Sequence, residues 1–488
     1  MKYLNILLCF TVAFLILASC VNEPKKSDKP ASDKNQPSII KETDGASTHE
    51  KEQVSSVDDG EEYENNQTET SSPKDVNPTK ALPPFSVFEP KIPAGSPGLP
   101  VIIFLDAHAN GNQPVATYQL LANKYHFLLV GSNEIKNGMP GNEIIASFDK
   151  LLNTVKSDFP IDKDRIYLMG FSGGARLGLA FAEAYPEISA MVACGAGIQV
   201  GVKAPEPTFS FMGMAGNEDF NMIEIINTDR LLKREKFNCA MVLFDGDHNW
   251  PPPDVAEEIF LWLDLIAMKD KSKAIDQIEI NTAKDWYLQK VNTLKTAGRI
   301  FDSYEVTERA TEVLDGLTDV SKFKILGEEL RKNPVYNEQI NEMVKTIQME
   351  MGLQNSYLQA FKTKDVAWWA NEMQKLNNST VSKTEQLMQK RLLAYLGVMA
   401  YMMSDKAVSD KNPEASEKYL KIYRLIEPTN PEHIYLEAKR RMALNEETKA
   451  LEYLRLAVML GFKDKYRLYN DPVFNPLNDN PDFESLLK

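Results

Sequence analysis

The chain runs to 488 residues, enough for two or three domains with full cores. Its 43% hydrophobic and 25% charged residues are the balance of a globular protein. A formal net charge of −14 argues against a nucleic-acid partner, which requires a basic surface.

The first segment, 1–19, reads as a signal peptide. Met1 and Lys2 give a short positive start, and Leu4 to Leu17 is an apolar run too short for a comfortable membrane span. It closes on Leu17-Ala18-Ser19-Cys20, which resembles the lipobox of a bacterial lipoprotein. That resemblance implies lipidation of Cys20 and anchoring in the cell envelope, periplasmic or surface-exposed. Residues 20–82 follow as an acidic tether. Positions 21–80 hold 14 acidic and 8 basic residues, a net of −6, and too little apolar surface to offset ordering entropy.

Residues 84–268 alternate between two periods. Apolar runs at Leu99–Leu105, Phe127–Val130, Ile166–Met169, Ala190–Ala193, Phe209–Met214 and Ala240–Phe244 predict buried strands, and Phe85–Phe88 predicts an edge strand. Between them Thr117–Lys124, Asn142–Ser157, Ala175–Tyr185, Glu224–Arg234 and Val255–Ala267 predict helices. This rhythm predicts a mostly parallel sheet with helices on both faces. Cys194 and Cys239 lie at opposite ends of their strands, so two buried free thiols are expected rather than a disulfide.

From 275 to 488 the strand signal stops and an all-α region is expected. Leu425-Ile426-Glu427-Pro428 and Met459-Leu460-Gly461-Phe462 match at a 34-residue offset, which resembles tetratricopeptide repeats, clearest over 388–488. Such repeats imply a protein partner.

Within "LMGFSGGARLG" the pattern Gly170-Phe171-Ser172-Gly173-Gly174 places a serine on a tight strand-to-helix turn. A nucleophile there needs a base, an acid and an oxyanion hole. Of the five histidines only His248, in "FDGDHNWPP", follows Ser172 inside the α/β region. The acid belongs beyond the intervening strand, where Asp219 is favoured over Glu218, with Asp245 and Asp247 as further competitors. The oxyanion hole requires two backbone N–H groups. One is expected from Gly173, and the other from Ala107 or His108 in the loop after Leu105. Trp250 either packs on a substrate group or closes the core beneath Pro251-Pro252.

With "GFSGGA", "GNEDFN" and "DHNWPP" in this order, residues 84–268 resemble an α/β-hydrolase, in the polyhydroxybutyrate-depolymerase and feruloyl-esterase group. The departures are Ala109 in place of a glycine and the lack of an evident lid insertion. The resemblance implies a carboxylesterase using Ser172, His248 and Asp219 on an ester, such as an acylated glycan, reached from the envelope. No cofactor is expected, and no metal, since there is neither an H-E-x-x-H motif nor a Cys/His cluster. Two alternatives stay open: an assembly lipoprotein that binds through its repeats, and a serine peptidase, because fold and triad are shared.

Overall fold

The computed structural model describes residues 84–91, 98–377 and 380–487. The signal-like segment, Cys20 and the acidic tether lie outside the described residues.

Seven strands form one sheet in the order β1-β3-β2-β4-β5-β6-β7. They are β1 (Phe85–Phe88), β2 (Leu99–Asp106), β3 (Leu128–Ser132), β4 (Ile161–Phe171), β5 (Ile188–Cys194), β6 (Ser210–Gly216) and β7 (Cys239–Phe244). Only β1 runs antiparallel, pairing Phe85 with Ser132 and Phe88 with Leu129 at the edge. The two-residue period of the strands sorts their side chains between two cores. Ile102, Phe104, Tyr167, Met169, Val192 and Met214 face one side, and Val101, Ile103, Leu105, Leu168, Met191 and Phe211 the other.

Helices cover both faces. On the first lie α1 (Asn112–Tyr125) and α5 (Pro253–Asp270), through Tyr118, Ala122, Ile259 and Leu263. On the second lie α2 (Gly141–Asp158), α3 (Gly173–Ala184) and α4 (Met222–Arg234), through Phe148, Phe181 and Ile225. Phe148 and Phe181 stack at 3.9 Å and 7°, a pairing that contributes about 0.5–1.5 kcal/mol beyond its buried area. The sheet therefore has the expected architecture.

The change to helix after 268 is not a break in the core. Helices α6 (Gln277–Thr296), α7 (Ile300–Leu314) and α8 (Ser321–Lys332) send Ile280, Tyr287, Val306, Leu314, Phe323 and Leu330 into the same core as Ile259 and Trp262 of α5. Arg309 of α7 also donates two hydrogen bonds, 2.9 and 3.3 Å, to Glu258 of α5. A surface helix and a helix covering a sheet share one apolar period, so the sequence marks only the change of secondary structure.

Helix α9 (Pro334–Thr363) has 30 residues and spans about 45 Å. It joins two cores: Met343 and Ile347 pack on the sheet side, while Tyr357 and Phe361 enter a separate helical core. That second core is built by α10 (Val366–Leu376), α11 (Lys383–Ser409), α12 (Pro413–Ile426), α13 (Glu432–Ala443) and α14 (Glu447–Met459). It closes on α15 (Lys465–Asn470), a 3₁₀ turn at Pro472–Leu477 and α16 (Pro481–Leu487). The 34-residue match falls on the ends of α12 and α14. No helix among the described residues is long and apolar enough to cross a membrane.

Candidate active site

In a parallel sheet the open crevice lies beyond the carboxyl ends of the strands, where the strand order reverses. Here β3 lies on one side of β2 and β4 on the other. Asp106, Phe171, Cys194, Gly216 and Phe244 end their strands at that edge, and the expected site residues follow directly after them.

Ser172 sits between β4 and α3 with φ 54° and ψ −119°, a conformation that L residues adopt only under strain. Close packing enforces it. A Cβ on Gly170 would strike the Gly174 carbonyl, and one on Gly174 would strike that of Leu105. The Ser172 N–H donates to the Cys194 carbonyl (2.9 Å), pinning the turn to β5.

The structure brings Ser172, His248 and Asp219 together. With the imidazole proton on Nδ1, the ring donates to Asp219 Oδ1 at 2.9 Å and its Nε2 accepts from Ser172 Oγ at 3.1 Å. Asp219 is fully buried, and its Oδ1 also accepts the Asn221 N–H at 2.8 Å. Phe171 and Phe220 flank the imidazole, their ring centroids 4.7 and 4.3 Å away. The ring is thus held in orientation by two aromatic contacts and one buried carboxylate. The competing acids are elsewhere. Glu218 accepts from Lys390 (2.7 Å), Asp245 accepts from Arg299 (2.6 Å), and Asp247 is exposed.

Gly173 opens α3, where its N–H has no acceptor within the helix and the helix dipole favours negative charge. The second expected donor needs a correction. The His108 N–H donates to Asp106 Oδ1 at 2.8 Å and is not free for an oxyanion, which leaves Ala107 as the candidate. The His108 side chain is 85% exposed. Ala109 stands at φ 59°, the left-handed backbone that the glycine implied by the resemblance would adopt without strain.

For Trp250 the structure favours the core position of the two expected, over contact with a substrate. It is buried, packing edge-on against Phe104 (5.9 Å) and tilted against Phe171 (5.4 Å). Its ring contacts are with the core side chains Phe104 and Phe171, the second of the two expectations.

Two residues at the site escape sequence reading. Gly195 follows β5 at φ 63°, and a Cβ there would come within 3.0–3.1 Å of Asp219 Oδ2, Phe171 and His248. A lone glycine after a strand signals many kinds of turn. Asn137 donates its N–H to the Ala107 carbonyl (2.9 Å), and its side-chain amide lies against the Cα of Gly173, so it touches both residues expected to supply N–H donors. Only the turn-forming Asn137-Gly138 pair hints at it.

Both cysteines within the described residues are free and buried, as expected. Burial, reinforced by the Asp219 charge, pushes the Cys194 thiol far up. Burial, reinforced by Asp229, pushes Cys239 up to about 12. Neither is a thiolate nucleophile. Among the described residues no group of three His, Cys, Asp or Glu side chains is arranged to hold a metal ion.

No protein-family model matches the sequence, and no curated protein matches it. Solved structures similar to it include FphF, a fluorophosphonate-binding serine hydrolase of Staphylococcus aureus. It is 13% identical, with 37% of this chain and 91% of that one covered and a TM-score of 0.32. A ferulic acid esterase is 16% identical, with 34% and 85% covered and a TM-score of 0.29. LpqC, a poly(3-hydroxybutyrate) depolymerase of Bordetella parapertussis, is 14% identical, with 40% and 86% covered and a TM-score of 0.29. At these values the likeness decides nothing about activity.

Proposed function

We propose that the chain is a serine hydrolase acting on carboxylic esters. The observation that carries this is the hydrogen-bonded line from Ser172 Oγ through His248 to fully buried Asp219, with the serine on a strained turn. A serine–histidine–aspartate contact without function has no need of that strain.

In the mechanism, His248 Nε2 takes the hydroxyl proton as Ser172 Oγ attacks the ester carbonyl. The carbonyl oxygen becomes an oxyanion, held by the Gly173 N–H and by that of Ala107. Each such donor contributes roughly 3 kcal/mol to the transition state. Asp219 keeps the proton on Nδ1 and stabilises the imidazolium. The intermediate collapses, His248 protonates the departing alcohol, and an acyl-Ser172 ester remains. Water, deprotonated by His248, attacks that ester in turn and releases the acid and free serine.

The reading extends to location and substrate class. Lipidation at Cys20 would hold the enzyme at an envelope membrane, acting on esters such as acylated glycans. The tetratricopeptide-like helices would bind a protein partner. Replacing Cys20 with serine should abolish incorporation of a labelled fatty acid.

The direct test exposes the 488-residue chain and its Ser172→Ala variant to a fluorophosphonate. Covalent labelling of the unmodified chain alone, at one site per molecule, is expected. Equal behaviour of the two would overturn the assignment.

A further inference from the structure

The loop that carries Asp219 is held from two directions. On one side it is laced to the histidine loop. The Asn217 N–H donates to the Phe244 carbonyl (2.8 Å), and the Glu218 N–H donates to the Gly246 carbonyl (2.9 Å). On the other side the grip comes from α11 in the helical region. Arg391 donates from Nη1 to the Asn217 carbonyl at 2.5 Å, two residues before the acid. Its Nε and Nη2 both donate to Glu350 Oε2 of α9, at 2.8 and 2.6 Å. The adjacent Lys390 donates to Glu218 at 2.7 Å, one residue before the acid.

Arg391 and Glu350 are 3% and 0% exposed. A buried ion pair is a weak stabilising device, because an apolar pair of similar volume commonly serves as well. What an apolar pair does not supply is the third hydrogen bond, directed at the acid loop. A guanidinium can make it, since its planar fork offers donors in several fixed directions.

We propose that Arg391, fixed by Glu350, is a positioning residue for the triad. It holds the loop where Asp219 Oδ1 meets His248, so the helical region sets the rate of the reaction. This rests on the serine-hydrolase reading above. A displacement of about 1 Å in such a constellation lowers a rate up to about 100-fold.

The test compares the unmodified chain with Arg391→Met, Arg391→Lys and the double variant Arg391→Met/Glu350→Met. The readouts are the rate of fluorophosphonate labelling, kcat and KM on a p-nitrophenyl ester, and the melting temperature. Arg391→Met leaves Glu350 buried and unpaired, and it melts lower. The double variant removes both charges and regains melting temperature. It should nevertheless label at least tenfold more slowly, with kcat reduced and KM within twofold. Arg391→Lys keeps a buried cation but cannot serve Asn217 and Glu350 together, so its rate should fall between. A folded double variant, or the lysine variant, that labels at the original rate would overturn the proposal and leave the pair a packing feature. Absence of labelling in the unmodified chain would instead remove the serine-hydrolase reading itself.

Discussion

Gly195 stands so close to Asp219 that a methyl group added to it would lie 3.0 Å from Oδ2 of the carboxylate. The same methyl would press on Phe171 and on the Cε1 edge of His248. Gly195→Ala should therefore disturb the acid and the base together. It also places alanine at φ 63°, a conformation that disfavours L residues by about 1 kcal/mol. The expected outcome is at least a tenfold slower reaction with fluorophosphonate and a loss of roughly 1–3 kcal/mol of stability in urea titrations. An unchanged labelling rate would show that the site accommodates the methyl.

The shared core makes a prediction about truncation. A chain ending at 274 keeps every strand and the whole triad, yet exposes the faces of α5 that pack on Ile280, Tyr287, Val306 and Phe323. It also leaves Glu258, 2% exposed in the intact structure, without Arg309. Such a chain should be insoluble or aggregated in size-exclusion chromatography. Recovery as a monomer that labels with fluorophosphonate would refute this.

Acidity offers a third check. Burial raises the carboxyl of Asp264 on α5 to about 6, against the opposing pull of Lys273 at 2.7 Å. An unfolded aspartate ionises near 3.9. Between about pH 4 and 6 the folded state therefore binds more protons than the unfolded state, and this contribution to stability falls as pH rises. Asp264→Asn lacks the titration. The difference between the unmodified chain and the variant should move in favour of the variant by on the order of 2–3 kcal/mol from pH 4 to pH 7. Parallel stability curves would contradict the assignment.

The thiols provide a fourth. With its thiol at about 12, Cys239 holds on the order of one thiolate in ten thousand at pH 8, and Cys194 holds fewer. Iodoacetamide should leave both unmodified in the native protein and alkylate both in denaturant, as read by peptide mass. Native alkylation of either would mean that its strand opens readily.

Much of this was legible in the residues. Strand and helix positions follow from apolar periods of two and of three to four, and even the edge strand Phe85–Phe88 stands where expected. Chain order singled out His248 among the five histidines, and the structure places it 3.1 Å from Ser172 Oγ. Besides Gly195 and Asn137, three things were not legible. The continuity of the core past 268 depends on which surface a helix packs against, and periodicity carries no such information. The depth of Trp250 depends on Phe104 and Phe171, which lie far from it along the chain. The loss of the His108 N–H to Asp106 is a matter of loop geometry at the scale of one hydrogen bond.

Ser172 occupies a backbone conformation that suits glycine, and holding a serine there costs about 1–3 kcal/mol. Ser172→Gly would relieve that strain while discarding the hydroxyl. On the serine-hydrolase reading, the turn gives up thermodynamic stability for a placed hydroxyl at a single residue. If the serine-hydrolase reading holds, glycine at this one position would give a sturdier but inert turn, so a relative's residue here separates a working site from an idle one.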